Sequence, residues 1–176
     1  MQLILISGLA GAGKSTALRI LEDSGYNCVD NLPPPMIVQL VEMYSLTSNS
    51  KKIAVSVDTR SFSLLRQLPT AIKNLNQLGI ETKIIFLDAR EDVLIKRFSE
   101  TRRKHPLSDD KKTISDCISA EQELLSSISG LAHRIDTSDL TANQLRVIVK
   151  QFVEADYSQL NIVVQSFGFK YGLPID

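Results

Sequence analysis

The chain has 176 residues, 43% of them hydrophobic and 23% charged, with 20 basic and 20 acidic side chains. That size suits one domain able to bury about 70% of its unfolded surface without disulfide or metal staples. A formal charge of zero excludes any global electrostatic case for nucleic acid or membrane, so a basic patch has to be local. Cys28 and Cys117 are the only cysteines, and a pair without metal-ligand spacing reads as reduced thiols. No basic n-region or long apolar stretch precedes the first strand, which sets the expectation of a cytoplasmic protein without signal peptide or membrane span.

Taken in chain order, strand-like runs alternate with helix-length segments. Residues 2–7, "QLILIS", form a continuous apolar run, as a strand covered on both faces requires. Residues 14–25 place Ala17, Leu18 and Leu21 at helical spacing and stop on Gly25. A short strand follows at 26–30. Prolines then open a helix over 33–45. Residues 48–52 are a polar loop before a strand at 53–58. The pattern predicts a helix over 61–78, a strand over 83–88 and a helix over 90–103 that Pro106 keeps from running on. A helix at 115–131, a strand at 133–138 and a helix at 141–154 complete the alternation. Such alternation argues for a parallel sheet with helices on both faces. Ligands of such sheets bind beyond the carboxyl ends of the strands. Ser7, Asp30, Asp58, Asp88 and Asp136 close the strands there. Residues 160–176 break the pattern with a strand that places Phe167, Phe169 and Tyr171 on one face.

The chemistry concentrates in "GLAGAGKST". Gly8, Gly13, Lys14 and Ser15 satisfy G-x-x-x-x-G-K-[ST], a match expected by chance on the order of once in a hundred chains of this length. Glycines let the backbone take positive φ and approach phosphate oxygens. The amides of Leu9, Ala10, Gly11, Ala12, Gly13, Lys14 and Ser15 can then form an anion nest, which runs on into Thr16. A helix beginning near Lys14 adds the positive end of its dipole. Lys14 is placed to reach the β- and γ-phosphates, and Ser15 to ligate Mg²⁺. Asp58 can hold the same ion, directly or through water, although an N-capping role is the competing reading. Asp30 can orient or deprotonate a nucleophile near the γ-phosphate, against the alternative of a turn residue before the prolines. Asp88 reads more simply as the cap of the next helix. The dense basic run Lys96, Arg97, Arg102, Arg103, Lys104, His105 resembles the lid of small P-loop kinases, where an arginine at the transition state is worth about 10³ to 10⁵ in rate. The same run could meet an RNA backbone or simply be a solvated face. His105 reads as an exposed loop histidine.

Several stretches together resemble the RapZ/YvcJ family of bacterial nucleotide-binding RNase adapters: "GLAGAGKSTALRILEDSGYNCVDNLP", "VDTRS", "FLDAREDVLIKRFSETRRKHPLS", "IDTSDL" and "SFGFKYGLPID". The resemblance implies a P-loop NTPase, kinase-like three-layer α/β/α fold with a parallel sheet. It implies ATP and GTP binding with slow hydrolysis. Gly8 to Ser15 would be the ATP loop, and Asp58, Thr59, Arg60 and Ser61 a guanine-nucleotide segment. It further implies small-RNA binding and presentation of that RNA to an endoribonuclease in control of amino-sugar metabolism. Assembly into a homo-oligomer is a separate expectation. Family members are longer, so residues 1–157 are expected to be the nucleotide-binding domain and 158–176 the first strand of a truncated C-terminal domain. Two other readings stand beside this one: a small-molecule kinase with Asp30 as the acceptor-side base, and a non-catalytic RNA-binding module that senses nucleotide.

Overall fold

A computed structural model describes residues 1–47, 52–101, 103–109 and 111–155. Five strands make one sheet: β1 (Gln2–Gly8), β2 (Asn27–Val29), β3 (Lys52–Ser56), β4 (Glu81–Asp88) and β5 (His133–Asp136). Their order is β2-β3-β1-β4-β5, and every pairing is parallel. The helices are α1 (Lys14–Glu22), α2 (Met36–Thr47), α3 (Phe62–Leu65), α4 (Leu68–Gln77), α5 (Glu91–Thr101), α6 (Ile114–Ser129) and α7 (Ala142–Glu154). Leu3, Ile4, Leu5 and Ile6 of the central strand are all fully buried. Successive strand side chains point to opposite faces, so both faces of the sheet are covered. Each such side chain contributes about 1.5–3 kcal/mol by leaving water. This is the α/β architecture that the alternation predicts, and it sets the loops after β1, β2, β3 and β5 at one end of the sheet.

Helix boundaries depart from the sequence pattern in two places. The span 61–78 is interrupted: a 3-10 turn (Thr59–Ser61) and the short α3 precede α4. Pro69 sits in the first turn of α4, where its missing N–H costs nothing, and its ring disfavours a continuous helix through the preceding residues. Helix α5 ends at Thr101, so residues 103–105 approach Pro106 outside any helix. Both α6 and α7 begin with reciprocal capping boxes, Thr113 with Asp116 and Thr141 with Gln144. Lys83, buried near the start of β4, donates to the Val153 carbonyl at 3.2 Å and the Ala155 carbonyl at 2.6 Å, satisfying the last turn of α7. Among the described residues no helix is long and apolar enough to cross a membrane. The strand expected near 160 and its aromatic face lie outside the described residues, as does Arg102.

Candidate functional site

The loop between β1 and α1 is held at both ends by glycine geometry. Gly8 has φ +138°, and a Cβ there would stand 2.1 Å from the Leu87 carbonyl oxygen of β4. The loop therefore leaves β1 flush against β4, and the Leu9 amide donates to that carbonyl at 3.0 Å. Gly13, with φ +105°, forms the N-cap of α1 in the left-handed region. The Ala10 amide donates to Glu121 Oε2 at 2.8 Å, and the Ala12 amide to the Leu9 carbonyl at 3.1 Å. The row of available amides is thus shorter than the sequence suggests. Gly11, Gly13, Lys14 and Ser15 carry the amides without a bond to another described residue, at the positive end of the α1 dipole. Lys14 Nζ donates to the carbonyls of Gly8 (2.7 Å) and Leu9 (3.1 Å). Loss of water around the ammonium pulls its pKa below the ordinary lysine value, against the opposing pull of Glu121, Asp58 and Asp30.

Two cavities flank this loop. One, of about 340 Å³, is lined by Gly11, Gly13, Phe98, Leu140 and Leu145 among others. The other, of about 530 Å³, is lined by Lys14, Ser15, Arg19, Asp30, Asp58 and Arg60 among others. Arg103 lines both. Thr16 borders the first cavity. The strand ends thus bring Asp30 and Asp58 to the same hollow as Lys14 and Ser15. Asp30 accepts from the Ser56 hydroxyl, which in turn accepts from the Asn31 amide at 2.8 Å. Asp58 accepts from the Arg60 amide at 2.8 Å, an Asx turn that aims the 3-10 segment. Asp88 is elsewhere. It accepts from the Ala89 amide at 2.9 Å and pairs with Arg134, while the Arg90 amide at the head of α5 is taken by the Ser138 hydroxyl at 2.8 Å. The capping role read for Asp88 is therefore replaced by a strand-edge ion pair.

The loop's outer carbonyls are also tied down. Arg97 donates to the Gly11 carbonyl at 3.1 Å and to the Thr137 carbonyl at 2.7 Å. The Thr137 hydroxyl lies 3.0 Å from the carbonyls of both Ala12 and Asp88 and can donate to either. The "IDTSDL" segment so becomes a brace for the loop.

Behind the loop stands a residue that the sequence reading passed over. Glu121 of α6 is fully buried. Its carboxylate accepts from the Ala10 amide, from Thr59 Oγ1 at 2.7 Å, and from His105 Nε2 at 3.1 Å. Burial alone would raise its pKa. The His105 hydrogen bond, the Lys14 charge and the Ala10 and Thr59 bonds outweigh that and hold it below the ordinary carboxylate value. His105, expected to be exposed, is 3% exposed, and Thr59 is turned toward Glu121 and buried as well. A signal was present: Cys117, Ile118, Glu121, Leu125 and Ile128 share the buried stripe of α6, so a glutamate occupies a core position of a helical repeat.

A family profile for the RapZ-like N-terminal domain matches residues 1–157. A nucleotide-binding protein of Chromobacterium violaceum is 51% identical over 176 residues, which is 100% of this chain and 62% of that protein. The chain spans about three fifths of the length of the curated relatives it matches. Among solved structures, the YorR protein from Bacillus subtilis, in complex with phosphorylated GDP, has a TM-score of 0.56 at 15% identity, covering 90% of this chain and 99% of that one. Shikimate kinase from Acinetobacter baumannii, in complex with shikimate, has a TM-score of 0.55 at 16% identity, covering 86% and 92%. At those identities the likeness is one of fold, that of the P-loop kinases. With the profile matching most of its length, the chain belongs to the RapZ-like N-terminal domain family.

Proposed function

We propose that this chain binds a nucleoside triphosphate with Mg²⁺ at residues 8–16 and hydrolyses it slowly, with ATP and GTP both accepted. The observation that carries the reading is the loop itself: four amides without a partner among the described residues and an ammonium group at a helix N-terminus, on a backbone braced from behind. Lys14 would exchange the Gly8 and Leu9 carbonyls for β- and γ-phosphate oxygens. The Ser15 hydroxyl and Asp58 carboxylate are hard oxygens lining one hollow, a donor set that fits Mg²⁺ shared with phosphates. Held by these two residues, such an ion would offset charge on the phosphate oxygens. Arg103, with Arg102 beside it in sequence, adds positive charge at the same place. Asp30, oriented by Ser56, would position the attacking water. The hollow beside Phe98, Leu140 and Leu145 offers apolar walls to a base. Arg60 lines the phosphate-side hollow, whereas Thr59 serves through Glu121.

The wider role proposed is that of the family: residues 1–157 act as a nucleotide-responsive domain of a cytoplasmic RNase adapter. On that view small RNA and an endoribonuclease are met mainly through residues beyond 157, and the adapter assembles with copies of itself. A second reading has its own support. The cavity of about 530 Å³ holds Asp30 together with Arg19 and Arg60, room and charge for a small anionic acceptor. One experiment separates the two. The chain is given MgATP or MgGTP labelled at the γ-phosphate, with and without candidate acceptors. Release of label to water supports the slow switch; transfer to an acceptor supports a kinase. In parallel, Lys14→Ala should weaken nucleotide affinity about 100-fold with the fold intact, since bonds to a charged group are each worth about 1.5–3 kcal/mol. Undiminished affinity in that variant would falsify the assignment.

A further inference from the structure

We propose that Glu121 is a positioning residue whose buried carboxylate ties the back of the phosphate loop to the arginine-bearing segment 103–109, so that what fills the loop is felt at Arg103. A charge on the apolar stripe of a helix carries a desolvation penalty, and an apolar side chain would serve the packing of α6 as well. The glutamate is balanced by donors from three separate segments: the Ala10 amide at 2.8 Å, Thr59 Oγ1 at 2.7 Å and His105 Nε2 at 3.1 Å. Its work is therefore registry between loops.

The His105 end of this tie is well defined. The Leu107 amide donates to His105 Nδ1 at 3.1 Å, so that nitrogen holds a lone pair and the ring proton sits on Nε2, facing Glu121. Ser108 folds back on the His105 carbonyl through its amide (2.9 Å) and its hydroxyl (2.7 Å). The imidazole also packs against Phe98, ring centres 5.2 Å apart, and Phe98 Cε2 lies 3.5 Å from where a Gly11 Cβ would stand. The segment is thus fastened to the loop by a hydrogen-bonded route through Glu121, and Phe98, which packs on the imidazole, lines the same cavity as Gly11. Arg103, which lines both cavities, precedes the anchored histidine by two positions. A shift of the Ala10 peptide moves the acceptor that His105 depends on.

The test is residue-resolved amide hydrogen exchange on the 176-residue chain and its Glu121→Gln, His105→Gln and His105→Leu variants, with and without a non-hydrolysable MgATP analogue. Without nucleotide, Glu121→Gln and His105→Leu should speed exchange in both residues 8–12 and 103–109 about tenfold, with α7 within about twofold. His105→Gln, whose side-chain amide N–H can replace Nε2–H, should keep both segments within about threefold of the parent. Uniform acceleration throughout the sheet, or acceleration confined to one of the two segments, would overturn the proposal. The nucleotide arm rests on the function proposed above. The analogue should slow exchange at 8–16 and at 103–109 in the parent, and at 8–16 alone in Glu121→Gln. Slowing at 8–16 without any at 103–109 in the parent refutes the coupling. No slowing at 8–16 in the parent refutes nucleotide binding instead, and the ligand-free comparison still decides the tie.

Discussion

The two halves of the phosphate loop are built differently. In the half next to β1, the Leu9 and Ala10 amides and the Gly11 and Ala12 carbonyls meet groups on β4, α6, α5 and the 137 segment, the Ala12 amide meets the Leu9 carbonyl, and the Gly11 amide meets none among the described residues. In the half next to α1, the Gly13, Lys14 and Ser15 amides meet none among the described residues. The strand-side half supplies rigidity and one donor, Gly11, and the helix-side half supplies the other three. Dipoles fixed before the ligand arrives need no reorganisation when charge develops on it, which is where electrostatic stabilisation comes from. The motif residues are half of the device. The other half is a set of distant groups, Leu87, Arg97, Glu121 and Thr137, that keep the motif in shape.

The largest expected effect strikes the strand-side half. In Gly8→Ala the new Cβ meets backbone of β4 at 2.1 Å, and the strained φ compounds the clash. Stability should drop by about 3 kcal/mol or more, read from the urea midpoint. An unmoved midpoint would mean that β1 and β4 can part enough at Gly8 to admit a methyl group. The helix-side half is probed by pH. The Lys14 pKa is lowered in the free protein, and a bound polyphosphate would raise it again. Binding then takes up a proton above the lowered value, so affinity should decline by up to about tenfold per pH unit as pH climbs from there toward 10.5. Calorimetry in buffers of different ionisation enthalpy measures that proton, and a pH-independent affinity in this range would separate Lys14 from the ligand. The smallest effect is expected from Thr137→Val, which keeps shape and removes the hydroxyl beside Ala12 and Asp88. A loss of about 1 kcal/mol in stability should accompany faster amide exchange at 11–13. Changes confined to β5 would remove Thr137 from the brace.

Much of this was legible in the residues. The run "LILI" implies a strand covered on both faces, and the Gly and Lys spacing implies a loop opening a helix. Carboxylates at strand ends imply that Asp30 and Asp58 converge, as they do on one hollow. What escaped depends on partners far along the chain. His105 looks exposed beside Arg103 and Lys104, because nothing local reveals that residue 121 waits to receive it. Glu121 looks like one more charge in "SAEQELL", and only its place in the apolar stripe marks it. Asp88 reads as a cap because its true partner, Arg134, lies 46 positions away. Pro69 escaped for a simpler reason: the surrounding apolar spacing is helical on both sides of the break.

Lys83 carries a mechanical corollary. It clamps the last turn of α7 at the amino end of β4, and residues 83 to 88 span about 17 Å at the rise of a strand. The described backbone therefore departs at the opposite pole of the sheet from the glycines. Helix α7 reaches from one pole to the other: Leu145 in its first turn stands 3.6 Å from the position of a Gly13 Cβ, and Val153 in its last turn meets Lys83. One rod thus spans the sheet from the glycine pole to Ala155, on the flank of the strands between.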